Sequence, residues 1–235
     1  MLKIRVIEIK LKVYLLQDIF TADTLQHIGK LIDSALIDGD MQDFHYATQT
    51  KMYCFSNLYP LAKNKIYSAG GVYTITIRTA DNRVAEALNR NLDKQYNQYF
   101  KALTIENRVL TQKPIERIYT LTPMIIKFKE DENTYWRDNH TLEEFEEAVR
   151  VNLIKKYNKI MNTKIDEDIE LFQGIQLDNQ TPTVIAYKGV KLLGDKITIN
   201  IANSEISNEI AWIAIATGIG TASARGAGFC NYRYL

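Results

Sequence analysis

The chain has 235 residues, 46% hydrophobic and 24% charged, with a formal net charge of +1; that is apolar material for one large core or two compact ones. Its first residues, MLKIRVIEIKLKV, interleave Lys3, Arg5, Lys10 and Lys12 with apolar side chains, and no later stretch reaches the uncharged length of a membrane span, so a cytoplasmic protein without membrane contact is expected. The two cysteines, Cys54 and Cys230, cannot build a disulfide framework or a CxxC metal site, and two reduced thiols with no metal are expected.

Residues 2–15 read as a strand. Leu2, Ile4 and Val6 alternate, and the phase then shifts to Ile7, Ile9, Leu11 and Val13, which predicts a bulge near Ile7. Leu25, Ile28, Ile32 and Leu36 fall three and four apart over 24–37, a helix with Asp23 and Gln26 placed for a capping box. KMYCFSNLY (51–59) and GVYTITIRT (71–79) are rich in β-branched and aromatic residues and read as strands. A second helix runs from Asn82, with Val84, Leu88, Leu92 and Tyr96 on one stripe, and a strand near 105–120 closes the half in the order βαββαβ.

Pro123 marks the join, and MIIKFK (124–129) opens the second half as a strand. A helix starts at Thr141 with a capping box to Glu144 and carries Lys155, Lys156 and Lys159 near its end, in keeping with the helix dipole. Strands follow at 169–177, 181–193 and 196–202, the last two joined by a Gly194-Asp195 turn. Ser204 or Ser207 caps a helix through Ile206, Ile210 and Ile213 that stops at Gly218, and a final strand occupies 228–234. The order is βαββαβ again with an added hairpin. An α+β chain of two tandem ferredoxin-like domains, residues 1–121 and 122–235 with a groove between them, is therefore predicted.

The small net charge is unevenly spread. Residues 130–170 hold 12 acidic and 6 basic side chains, leaving 16 acidic and 23 basic elsewhere, a surplus of +7. This permits a polyanion-binding face without requiring one, with the acidic run 130–147 turned away from it. Gly218, Gly220, Gly226 and Gly228 set out the spacing GhGxxxxxGhG, with Ile219 and Ala227 in the apolar slots and Arg225 in the insert. Glycine permits positive φ and close backbone approach, so amides here can cradle an anion beside Arg225; a helix stop and a bulged edge explain the same glycines. A phosphate-binding loop would need GxxxxGK[ST], and a dinucleotide fingerprint a strand before it.

With these glycines between the last helix and last strand, the sequence resembles the CRISPR repeat-processing endoribonuclease family of the RAMP superfamily. FHYATQTKMYCFSNLYP (44–60) after the first helix and YKGVKLLGDKITIN (187–200) before the last one support the likeness. The resemblance implies a metal-independent, cofactor-free endonuclease that cuts CRISPR repeats in a precursor transcript. The ribose 2′-OH would attack the adjacent phosphate, leaving a 2′,3′-cyclic phosphate and a 5′-OH.

It also implies site residues. His45, just after helix 1, would be the catalytic histidine, its side chain suited to proton transfer near neutrality, and Lys51 would stabilise charge developing on the phosphate. On the residues alone, His45 reads as a solvent-exposed loop histidine, and the catalytic role comes with the resemblance. Some members carry a catalytic tyrosine on helix 1, and residues 24–37 contain none. The third role stays open among Tyr46, whose side chain points away from that of His45 in an extended segment, Lys30 and His27, the last on the polar face. RNA contacts would come from Lys188, Lys191 and Lys196 on the hairpin and from Gly218, Gly220, Arg225, Gly226 and Gly228 in the loop, to phosphates and ribose of a repeat that often forms a stem-loop. Lysines on a hairpin also serve to keep an edge solvated. A non-catalytic RNA-binding subunit of a CRISPR effector complex would keep the loop without needing His45 and Lys51; an unrelated tandem ferredoxin-like binder of small molecules would leave the loop spacing as coincidence. Further effector subunits are family partners, and monomer or homodimer is left open.

Overall fold

The structure, a computed structural model, describes residues 4–43, 51–129 and 134–235. In chain order the elements are β1 (Ile7–Leu15), β2 (Ile19–Phe20), α1 (Thr24–Asp38), β3 (Tyr53–Phe55), β4 (Ile66–Tyr67), β5 (Val72–Thr79), α2 (Asn82–Asn91), β6 (Phe100–Val109) and β7 (Ile115–Thr120). There follow α3 (Trp136–Asn139), α4 (Leu142–Met161), β8 (Phe172–Leu177), β9 (Thr183–Tyr187), β10 (Val190–Gly194), β11 (Ile197–Ile201), α5 (Glu205–Thr217) and β12 (Cys230–Tyr234). Two four-stranded antiparallel sheets result, ordered β3-β5-β1-β6 and β12-β7-β11-β8. This is the expected α+β architecture of paired ferredoxin-like units. Among the described residues no helix is long and apolar enough to cross a membrane.

Strand alternation explains the first sheet. Ile9, Leu11, Val13 and Leu15 all point to one face and are fully buried with Ile28, Ile32 and Leu36 of α1 and Val84 and Leu88 of α2, each such side chain contributing about 1.5–3 kcal/mol. The phase shift at Val6 and Ile7 has a different cause from the expected bulge. Ile4 and Val6 belong to the core of the second half and Ile7 onward to that of the first, while the strand's irregularity lies opposite Lys12 and Val13.

Three further expectations are corrected. The strand expected over 105–120 is two: β6 closes the first sheet, and β7 pairs with β11 and β12 in the second. The change of sheet thus falls between Val109 and Ile115, upstream of the join expected at 121/122. MIIKFK forms no strand; Met124 makes a single bridge with Asp195, Ile125 enters the first core, and Met124 and Ile126 enter the second. The hairpin turn is Lys188-Gly189, both at positive φ (49° and 80°), rather than Gly194-Asp195.

Caps follow local chemistry in the second half. Thr141 and Glu144 form the full capping box of α4, and Ser204, not Ser207, caps α5. On α1 the box does not form: Asp23 makes no cap bond to the backbone, and Gln26 donates instead to the Asp23 carboxylate.

α5 occupies the space between the halves. From Ile210 to Thr217 every residue is buried, because the helix packs on its own sheet and also on the other face of the first one. There the Cys54 thiol donates to the Ile215 and Ala216 carbonyls, each at 3.6 Å. Glu8, 1% exposed, receives Arg78 at 2.8 Å and Arg108, and Arg78 also donates to the Cys230 carbonyl at 2.7 Å. The expected groove is thereby filled along this stretch.

Candidate nucleic-acid interface

The glycine loop is a packed bracket. Gly218, Gly220, Gly226 and Gly228 all have positive φ, between 67° and 86°. At Gly228 a Cβ would stand 1.9 Å from the Ile219 carbonyl oxygen, and at Gly226 it would stand 2.7 Å from the Phe55 ring and 2.8 Å from Leu25. Only glycine fits such backbone and such neighbours. The four amides are also engaged: Gly218 donates to Ala214, Gly226 to Ser223, Gly228 to Pro123, and Gly220 to the Asn152 side chain. The glycine N–H groups therefore do not form the expected phosphate cradle, since their hydrogen bonds are already made within the protein. What the glycines do is shape and seat the turn Ser223–Arg225 against β3 and α1, leaving Arg225 exposed.

A buried cation holds the start of this loop. Lys156 of α4, 2% exposed, donates from Nζ to the Gly218 carbonyl at 2.6 Å and lies 3.5 Å from that of Thr217. Burial pulls its ammonium down to about 8, with the Cys54 and Cys230 thiols partly opposing.

The hairpin of the second half crosses to the first. Ile185 is 2% exposed in the first core, and the Ala186 amide donates to the Ala22 carbonyl just before α1. The hairpin's base is fixed by Asp195, fully buried, whose carboxylate accepts from Tyr135, Trp136, Arg137 and Asn179. Tyr187 and Lys188 are thus delivered beside the glycine loop, where the Arg225 Cζ sits 4.3 Å from the Tyr187 ring centroid.

Lys51 meets this group from the first half. Burial lowers its pKa; Asp33 of α1 opposes, and the nearby charges of Arg225 and Lys188 lower it further. Three cations from three separate chain segments therefore share one neighbourhood. Tyr53, fully buried two residues on, has its phenol pushed far up by burial and then by the nearby Asp33 carboxylate.

The remaining expected residues separate into groups. His45 and Tyr46 lie outside the described residues. Lys30 is exposed on α1, one turn before Asp33. His27 is not brought to Lys51: its ring lies 3.9 Å from that of Tyr99, next to β6, whereas Lys51 precedes β3, at the opposite edge of the four-stranded sheet. Lys191 is exposed one pair back from the hairpin tip, and Lys196 lies beyond the hairpin's base. Asp33 and Tyr187 were not singled out by sequence. The only signal for Tyr187 was an aromatic residue directly before a Lys-Gly turn.

Comparison with known proteins bears on this arrangement. Residues 105–232, which include the hairpin and the whole glycine loop, match the family model described as CRISPR-associated protein Cas6, C-terminal. The chain belongs to the Cas6 family. Its fold is similar to a solved CRISPR-associated Cas6 (TM-score 0.72, 15% identity, 97% of this chain and 99% of that one). It is similar also to a RAMP protein described as binding different RNA substrates (TM-score 0.71, 18% identity, 97% and 99%) and to a Thermus thermophilus Cas6 solved as a product complex (TM-score 0.62, 12% identity, 98% and 100%). No curated protein matches the chain by sequence. Identities this low carry the Cas6 fold across the whole chain and leave the chemistry to this chain's own residues.

Proposed function

We propose that this Cas6-family protein is an endoribonuclease that cuts CRISPR repeat RNA by a metal-independent route. The observation that carries the reading is the convergence of Lys51, Lys188 and Arg225, with Lys51 held at a depressed pKa by burial and by the other two despite Asp33. Cations gathered from both halves suit a phosphodiester, whose charge grows as the reaction proceeds. The solved relatives described as an RNA-binding RAMP protein and as a Cas6 product complex agree with RNA as the ligand.

In this reading the 2′-oxygen attacks the adjacent phosphorus while its proton passes to His45, six residues before Lys51 in the sequence. The phosphorus–5′-oxygen bond breaks, the departing oxygen gains a proton, and the products are a 2′,3′-cyclic phosphate and a 5′-hydroxyl. Lys51 and Arg225 offset charge on the non-bridging oxygens, and Lys188 grips a neighbouring phosphate. Of the three candidates for the third group, Lys30, one turn before Asp33 on α1, is the one this reading takes as the donor of the proton to the departing oxygen.

The test uses the host's own repeat RNA in EDTA, beside the same RNA with one 2′-deoxy substitution at the scissile nucleotide. Cleavage of the first alone, with a cyclic phosphate end, is expected; cutting of the deoxy substrate or a requirement for Mg²⁺ refutes the mechanism. His45→Ala should slow cleavage by about 10²–10⁴-fold at nearly unchanged affinity. A wild-type protein that binds the repeat and never cuts it is instead the non-catalytic RNA-binding subunit.

A further inference from the structure

Arg225 projects from a turn whose ends are fixed by buried glycines, yet its own side chain reaches solvent. What it meets is the Tyr187 ring, 4.3 Å from centroid to Cζ. The Lys188 Nζ lies 5.6 Å from the same centroid. Tyr187 is itself firmly placed: it ends β9, two residues after Ile185 in the first core and one after Ala186, which is bonded to Ala22. An arginine gripping a phosphate gives up much of its rotamer freedom; one already laid on an anchored ring has given up part of it before RNA arrives.

We propose that Tyr187 is a positioning residue, its ring holding the Arg225 guanidinium in the orientation in which it meets a phosphate. Tyr187 then supports binding through Arg225 rather than by touching RNA. This rests on the reading of the site as an RNA interface and adds to it a residue that neither charge nor the glycine spacing marks.

The test is a double-mutant cycle on a uniformly 2′-fluoro version of the repeat, which lacks the attacking hydroxyl and reports binding alone. Arg225→Ala and Tyr187→Leu should each raise Kd by about 5-fold, and the double variant should be no more than about 2-fold weaker than the weaker single one. Tyr187→Phe keeps the ring and should bind within about 2-fold of wild type. Leucine retains bulk at the tip, and an unchanged Tm shows that the hairpin still docks. Effects that multiply in the double variant, or a Tyr187→Phe variant as weak as Tyr187→Leu, overturn the assignment. A second readout needs no RNA: the Arg225 side-chain protons should be shifted upfield by the ring in the free protein and lose that shift in Tyr187→Leu. Their appearing unshifted in wild type also overturns it. A wild-type protein that shows the shift and does not bind the probe refutes the RNA interface itself, which separates that failure from one at Tyr187.

Discussion

At Lys51, burial and two neighbouring cations disfavour the ammonium while Asp33 favours it, and the balance falls below the ordinary lysine value. A charged Lys51 therefore gives way to the neutral amine at lower pH than an exposed lysine would. Lys51→Ala is expected to lower kcat by about 10²-fold with a much smaller change in KM, as for loss of one group that stabilises transition-state charge. Lys51→Arg, which stays charged, should recover part of the rate and move the alkaline limb of the pH–rate profile upward. An Ala variant with wild-type kcat removes Lys51 from the reaction. Each of the three cations was visible in the sequence as a separate candidate. Their meeting was not, because it depends on a hairpin folding back onto α1, and nothing near Lys188 or Lys51 encodes that contact. Asp33 and Tyr187 were missed for the same reason, since each gains its meaning only from a neighbour distant in sequence.

Among the elements, the glycine loop makes the sharpest claim on stability. Gly228→Ala combines φ of +67° with a Cβ set against the Ile219 carbonyl, and should cost about 2–4 kcal/mol in urea unfolding. Gly174 in β8 is the control, since a Cβ there meets nothing within 4 Å, and its Ala variant should lie within about 1 kcal/mol of wild type. Comparable losses at both would show that loop crowding is not what matters. Elements set by local chemistry were legible in the sequence: the Thr141–Glu144 box and the Ser204 cap involve residues three apart. Elements set by distant partners were read less well. β6 and β7 read alike in the sequence because both are extended, and only pairing with β11 and β12 decides the sheet of β7. Sequence rules do not mark the turn at Lys188-Gly189, because Lys188 takes a left-handed conformation that they reserve for glycine, asparagine or aspartate.

Across the whole molecule, two buried charge sites between the halves make stability rise with pH, one in the acidic range and one in the alkaline range. Burial pushes the Glu8 carboxyl up, but Arg78 and Arg108 outweigh it and hold its pKa below the usual value. Its contribution is present above the unfolded carboxylate pKa and is lost as the solution is acidified through the folded one. Lys156 acts in the same direction at higher pH, by relief of a cost rather than by gain of a contact. Its ammonium titrates near 8 in the fold against 10.5 ordinarily, so the unfolded chain binds the extra proton between those values and this group makes stability rise with pH across that window. Lys156→Met should abolish that local rise in a Tm-against-pH series; an unchanged slope would assign it to other groups.

The placement of α5 has a consequence for how the chain unfolds. A helix that closes one core while roofing the back of the neighbouring sheet makes the two repeats unequal partners. The first half, cut away, would bare Cys54, Arg78 and the paired Glu8 to water, and the second would bare one side of α5. Calorimetry should therefore record one transition with equal calorimetric and van't Hoff enthalpies, whereas two resolved peaks would mean separable domains. Two halves of similar topology are thereby tied into a single unit that neither can leave.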